Sequence, residues 1–324
     1  MQFYLAPLEG ITGYIYRNAY HRFFEPMDKY YAPFIMATEQ RSMTSRELND
    51  VLPEHNMGLT VVPQLLTNKS SNFNRTVEIM KELDEEGNSY QEINLNLGCP
   101  SKTVVSKGRG SGFLAKTEAL DKFLDEIYTN PKMDISIKTR IGKDEPEEFY
   151  ELLEIYNKYP IKELIIHPRT QQDFYKNTPN WTIFKEALQI SKNPICYNGD
   201  IFTAADYQKF TETFPMVTSI MLGRGIIANP GLIGQIKNGT PLEKARLKEF
   251  IDTVQQGYQA VFSGERNVLY KMKELWVYLI TQFEGAEKYG RKIRKAQHLS
   301  EYRIIVDQLF HTCELNEAMG DTND

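Results

Sequence analysis

Eight short apolar runs alternate with longer amphipathic stretches through the first three-quarters of the chain, and that order leaves few folds open. The runs lie at 3–7, 30–35, 59–65, 92–96, 135–139, 163–167, 194–198 and 218–222, each of strand length. Between most of them the apolar spacing becomes helical, at 72–83, 117–128, 147–159, 181–190, 203–214 and 230–236. Parallel strands need a crossover connection, so a strand and a helix in regular turn predict a parallel sheet. Eight such units in about 240 residues are the arithmetic of an α/β fold of the (β/α)8 TIM-barrel type. The competing doubly wound sheet announces itself with a GxGxxG turn after its first strand, whereas this chain has Ala6-Pro7-Leu8-Glu9-Gly10 there.

Beyond residue 240 the strand pattern stops. Leu269, Met272, Trp276, Leu279 and Phe283 recur at helical spacing, and a second, partly apolar run follows in Ala296, Leu299, Arg303, Val306 and Phe310. A barrel over 1–240 and a C-terminal all-α helical domain over 241–324 are therefore expected, with the boundary near Asn238-Gly239-Thr240-Pro241. The end of the chain is expected to fray from Gly320 onward.

The formal net charge of −5 argues against bulk attraction to nucleic acid, so any polyanion partner must meet a local basic patch. Cys99, Cys196 and Cys313 are odd in number and far apart, which speaks against a disulfide framework and for a reducing, cytoplasmic setting. The N-terminus has no basic leader with an apolar stretch, and no window approaches the ~20 apolar residues of a membrane span. The five histidines lack the HExxH spacing and no DxDxDG loop occurs, so no metal is expected. No obligate protein partner is evident.

A TIM barrel carries its active site where the strands end, and here those ends are polar. Gln64 follows the third strand, Asn94 and Asn96 share one face of the fourth, and Lys138 and Arg140 share one face of the fifth. His167 and Arg169 follow the sixth, Asn198 the seventh and Arg224 the eighth. Any one of these has an ordinary reading as a turn-former or solvated group; together they converge. The turns Asn198-Gly199-Asp200 and Gly223-Arg224-Gly225 are small enough for backbone N–H groups to approach an anion, at the position where barrels hold phosphate.

Cys99 leaves the fourth strand directly, before Pro100 and a loop with Gly108, Gly110 and Gly112 that is able to move. That is poor packing territory, whereas Cys196 inside a strand and Cys313 in the last helix read as small buried hydrophobes. No base accompanies Cys99 in sequence, and an ordinary thiol with a pKa of about 8.5 is mostly protonated at neutral pH. A proton donor suits that position better than a nucleophile.

These residues closely resemble the bacterial tRNA-dihydrouridine synthases. The resemblance runs through APLEG at Ala6, Gln64, NLGCPSKTV at Asn96, IKTRIG at Ile137, HPRT at His167, NGDI at Asn198 and MLGRG at Met221, in order and at matching spacing. Lys273, Trp276, Tyr278 and the IRKA run match the family's helical RNA-binding domain more loosely. The chain departs from the commoner pattern at Gly13, in GRGSGFL and in HPRT.

The resemblance implies an FMN enzyme that uses NADPH to reduce the C5–C6 bond of uridines in tRNA. Pro7, Leu8, Glu9, Gln64, Lys138 and His167 would contact the flavin, and Asn198, Gly199, Asp200, Gly223 and Arg224 would hold its phosphate end. Hydride would pass from the reduced flavin N5 to C6 and a proton from Cys99 to C5, with Asn96 and Arg140 near the base. Lys138 would stabilise the anionic reduced ring, and the target nucleotide must be extruded from the tRNA fold to reach it. From Arg266 to Arg303 nine Lys and Arg stand against four Asp and Glu. Arg291, Lys292, Arg294 and Lys295 there, with Lys102 and Lys107 near the thiol, are the expected phosphate contacts. Two other readings stand beside this one: an FMN barrel oxidoreductase acting on another RNA or a small pyrimidine, and a non-catalytic RNA-binding barrel.

Overall fold

Among the described residues ten short strands, all parallel, form one sheet, and two interruptions reduce them to eight. The computed structural model describes every residue except 40–42, 85, 86, 88 and 317–324, so the expected fraying from Gly320 lies outside the described residues. We number the strands β1 (Gln2–Leu5), β2 (Lys29–Tyr31 and Ile35–Met36), β3 (Val61–Val62 and Gln64–Leu66), β4 (Glu92–Leu97), β5 (Asp134–Arg140), β6 (Leu164–His167), β7 (Ile195–Tyr197) and β8 (Ser219–Leu222). The break in β3 is Pro63 and the break in β2 contains Pro33, residues without the N–H that a ladder needs. Pro63 still accepts from Asn94 N at 2.9 Å, so the ladder to β4 continues across the break.

The pairing closes on itself. β2 and β3 pair through both of their pieces, each later strand pairs with the next, and β8 lies beside β1, where Gln2 N donates to Thr218 O at 2.8 Å. Tyr31 faces Val62 but Ile35 faces Leu65, four residues forward on β2 against three on β3, which is a one-residue bulge. A closed eight-stranded parallel barrel has no edge to protect, as the alternation in the sequence predicts.

The helices are α1 (Tyr14–Phe23), α2 (Ser45–Val51), α3 (Ser70–Leu83), α4 (Lys102–Val105), α5 (Thr117–Tyr128), α6 (Glu148–Tyr156), α7 (Trp181–Ile190), α8 (Ala204–Thr213), α9 (Arg224–Ala228), α10 (Leu232–Asn238), α11 (Lys244–Val261), α12 (Glu265–Leu279), α13 (Glu287–Lys295) and α14 (Leu299–Thr312). Among the described residues the tail carries helices and one isolated bridge, Phe283 to Leu315, as expected. Its core is the predicted stripe: Leu269, Met272, Trp276 and Leu279 of α12 are buried, and Trp276 Nε1 donates to Tyr302 OH of α14 at 2.7 Å.

The chain divides into two compact units, and neither is a continuous stretch of sequence. One holds 1–7, 28–199 and 214–221; the other holds 8–27, 200–213 and 222–324. In the second, α1 packs on α11, with the Phe250 ring edge-on to Tyr16 and Phe24 at centroid distances of 5.5 and 5.1 Å.

In the first unit the barrel floor is ionic. Lys29 Nζ bonds Glu92 at 2.6 Å, Tyr31 OH donates to the same carboxylate, and Tyr4 OH and Ser219 Oγ donate to Glu163 at 3.2 and 2.7 Å. Burial holds the Glu163 carboxyl above its ordinary range. These groups occupy the N-terminal ends of the strands and leave the C-terminal ends for the site.

Candidate active site

The polar strand ends meet in the barrel unit as side chains that bond to one another. Gln64, Asn94 and Ser136 are level on β3, β4 and β5, because Gln64 pairs with Asn94 and Asn94 with Ser136 in register. Gln64 Nε2 donates to Asn94 Oδ1, and Asn94 Nδ2 to Ser136 Oγ, each at 2.8 Å. Two residues along β4, Asn96 lies on the same face and donates through Nδ2 to Gln64 Oε1 at 2.7 Å.

Lys138 is Asn96's partner in register, half-buried at the C-terminal end of β5. Among the described residues its ammonium has no hydrogen-bond or ion-pair partner. Burial pushes its pKa down to about 8, and the Arg140 guanidinium adds to the effect.

Arg140, expected near the substrate base, is 1% exposed and bonds to backbone. Nε donates to Gly98 O at 2.9 Å, Nη1 to Thr170 O and Nη2 to Phe174 O, both at 2.7 Å. It thereby ties the thiol loop to the loop after β6. Phe174 is the one non-glycine residue with positive φ (51°) among the described residues, and Arg140 grips its carbonyl.

The next residue, Tyr175, places its half-exposed ring against both Arg140, 5.4 Å from the centroid, and His167, stacked at 6.0 Å. Nothing in the sequence pattern singles Tyr175 out. His167 Nε2 lies 3.1 Å from Arg169 Nη1. A guanidinium only donates, so this nitrogen accepts and the ring proton sits on Nδ1.

Cys99 is half-exposed, while Cys196 and Cys313 are buried, matching the sequence reading of each; none is in a disulfide. The loop that carries Cys99 is stitched down. Gly98 N and Cys99 N donate to Asn96 Oδ1 at 3.1 and 3.0 Å. Ser111 donates twice to Cys99 O, through N at 3.1 Å and Oγ at 2.9 Å, and Asn68 Nδ2 reaches Lys107 O and Gly108 O.

The loop's glycines, read from sequence as freedom to move, include one demanded by packing. Gly110 has φ +54° and sits where a Cβ would come within 2.7 Å of Cys99 O. Gly110–Phe113 forms a buried turn of 3-10 helix. Lys102 and Lys107, on the same loop, are exposed. Asn198 sends Nδ2 to Met221 O at 2.8 Å, and Gly199 follows it in the same unit as Pro7, which is half-buried after β1.

The remaining expected residues belong to the second unit. Leu8 opens a tight turn in which Thr12 Oγ1 accepts from Leu8 N at 2.8 Å, and Glu9 is exposed on it. Arg224 opens α9 after Gly223, pairs with Asp200 and lies 5.4 Å from the Phe202 ring centroid. On α13, Arg291, Lys292, Arg294 and Lys295 are all exposed while Tyr289 and Ile293 are buried, so the exposed side of the helix is mainly basic, with Glu287 in its first turn the one acid. Among the described residues no group of His, Cys, Asp and Glu side chains could hold a metal ion, and no described helix is long and apolar enough to cross a membrane.

A thiol, a half-buried ammonium and a lattice of amides at the C-terminal end of a parallel barrel suit reduction chemistry on a polar ring. The profile of the family described as dihydrouridine synthase (Dus) matches residues 4–314. The chain belongs to the dihydrouridine synthase family. The enzyme is thus an oxidoreductase of that family, and the match spans the barrel and nearly all of the helical tail.

Among curated proteins it is 24% identical over 321 residues to the probable tRNA-dihydrouridine synthase 1 of Synechocystis sp., covering 96% of this chain and 86% of that one. It is 25% identical over 333 residues to the tRNA-dihydrouridine(16) synthase of Vibrio parahaemolyticus, covering 94% and 97%. Among solved structures, morphinone reductase superposes with a TM-score of 0.51 at 12% identity, over 75% of this chain and 87% of that one. That likeness shows the barrel fold alone.

Proposed function

We propose that this enzyme reduces the C5–C6 bond of uridines in tRNA, with FMN as its flavin and NADPH as reductant, in the cytoplasm. The observation that carries the reading is the pairing of Asn96 with Lys138 across β4 and β5, which brings an unpartnered ammonium and the base of the Cys99 loop to one strand end.

The donors present fit a flavin. Lys138 would offer a cation to the acceptor-rich edge of an isoalloxazine, and Gln64, His167 and Asn198 are proposed as polar contacts to the ring. Pro7, Leu8, Glu9 and Gly199 are proposed as further contacts to it. Arg224, paired with Asp200 and preceded by Gly223, is proposed for the phosphate. When bound and reduced, such a flavin would be the source of hydride for C6 of the uracil ring.

The protein supplies the proton. Cys99 keeps its thiol half-exposed while its backbone is held on both sides, so the S–H can approach C5 from a fixed direction. Arg140 and Asn96 shape the place where the base enters, Arg140 by holding the loops after β4 and β6 together. Lys102, Lys107 and the α13 cations are proposed to meet tRNA phosphates. The barrel over 1–240 would then be the catalytic domain and 241–324 the tRNA-binding one.

Cys99→Ala tests the assignment by half-reaction. Loss of a general acid is expected to slow uridine reduction in a single turnover by about a hundredfold or more, with flavin reduction by NADPH little changed. A variant as fast as the parent in both steps would remove Cys99 from the mechanism.

A further inference from the structure

The hydrogen bonds beneath the thiol loop run in one direction, from the loop backbone down to Asn94 and Ser136. Gly98 N and Cys99 N both point at Asn96 Oδ1, which commits that oxygen as an acceptor. Asn96 must then donate from Nδ2, and does so to Gln64 Oε1 at 2.7 Å. Gln64 in turn donates from Nε2 to Asn94 Oδ1, and Asn94 from Nδ2 to Ser136 Oγ, each at 2.8 Å. Turning over any one amide would set donor against donor or acceptor against acceptor. Gln64, Asn94 and Ser136 are fully buried and Asn96 is 7% exposed, so water is poorly placed to repair a break.

We propose that Asn94 is a positioning residue for Cys99. Its carboxamide oxygen fixes the orientation of Gln64, and through Gln64 and Asn96 it fixes the backbone from which the thiol hangs. Ser111 holds the opposite side of that backbone with two donors on Cys99 O, so the cysteine is clamped at N and at O by separate parts of the fold. What the chain requires at position 94 is an acceptor. Asn94→Asp keeps one, whereas Asn94→Leu keeps the approximate volume and removes it. The proposal rests on the reading of Cys99 as the proton donor, but its test does not depend on turnover.

The three cysteines provide the readout. The flavin-loaded protein is treated with iodoacetamide between about pH 7 and pH 9, and alkylation is followed at each cysteine by mass spectrometry of its peptide. Cys196 and Cys313 are buried and report loss of structure. In Asn94→Leu, Cys99 is expected to react about threefold faster or more, while Asn94→Asp stays within about twofold of the parent and Cys196 stays protected in both. Single-turnover uridine reduction should fall roughly tenfold in the leucine variant and recover in the aspartate variant.

Unchanged Cys99 alkylation in Asn94→Leu with Cys196 protected overturns the proposal. So does equal impairment of the two variants, which would make position 94 a polar core site only. If Asn94→Leu exposes Cys196, the smaller Asn94→Ala decides. It removes the acceptor that Gln64 uses without adding apolar bulk, and faster Cys99 alkylation with Cys196 protected supports the chain while an unchanged rate overturns it. The alkylation pattern in a parent protein that reduces no uridine would keep the positioning and overturn the functional reading alone.

Discussion

Lys138 shows how much one residue can carry. Its position was legible, since a lysine two residues before an arginine at the end of a strand shares a face with it. Its charge state was not, because the pKa near 8 comes chiefly from burial, which spacing does not show, with the neighbouring Arg140 guanidinium adding to it. The ammonium is fully protonated below that pKa and loses its proton as pH rises through it, so attraction for an anionic cofactor must weaken in the same direction. FMN affinity of the apoprotein, measured by quenching of flavin fluorescence, is expected to hold steady to about pH 7 and to decline above about pH 8. Lys138→Met should bind more weakly at neutral pH and lose that slope; a slope that survives the substitution would place the titrating group elsewhere. Arg140 and Tyr175 mark the other limit of residue-scale reading. Their partners, Gly98, Thr170, Phe174 and His167, come from loops far apart in sequence, and no local pattern encodes that meeting.

At the scale of elements, the strands were legible because each is a short apolar run between polar turns, and all eight lie where the alternation puts them. The interruptions at Pro33 and Pro63 divide two strands without moving them. α1 escaped because its buried face is Tyr16, Arg17, Ala19 and Tyr20, too polar to register as a stripe. α2 carried a usable signal that was passed over: Thr44 and Glu47 form a reciprocal capping box. In the Cys99 loop glycine marks close approach as well as freedom to move. Gly110→Ala, at φ +54° with Cys99 O only 2.7 Å from the new Cβ, is expected to cost about 1–3 kcal/mol in thermal or denaturant unfolding. It should also depress uridine reduction by displacing the thiol backbone. A variant of parental stability and activity would mean that the loop yields freely.

At the scale of the whole molecule, a net charge of −5 coexists with a helix whose solvent face is mainly basic, so the sign of the chain says little about its partner. The proposed tRNA contacts on α13 should act through phosphate and therefore through salt. Reversing Lys292 and Arg294 to glutamate together is expected to weaken tRNA binding at all sequences and flatten its dependence on salt, by roughly one unit of slope per lost contact. Flavin content should be untouched; equal affinity and slope would move the RNA surface elsewhere. The barrel class and the helical tail followed from the order of patterns along the chain, whereas the two compact units do not follow it. Residues 8–27 cluster with the tail because aromatic side chains such as Tyr16 and Phe24 pack on Phe250, a pairing across more than two hundred positions, and 200–213 joins the same unit with α8 against α10.

Uridine reduction is measured most directly with the flavin-loaded protein, NADPH and tRNA isolated from cells that lack the gene, the nucleosides being resolved by mass spectrometry. Uridine at a defined tRNA position is expected to gain two hydrogens with the parent protein and not with Cys99→Ala. A flavin-loaded, NADPH-oxidising protein that leaves every uridine in that tRNA unchanged would contradict it.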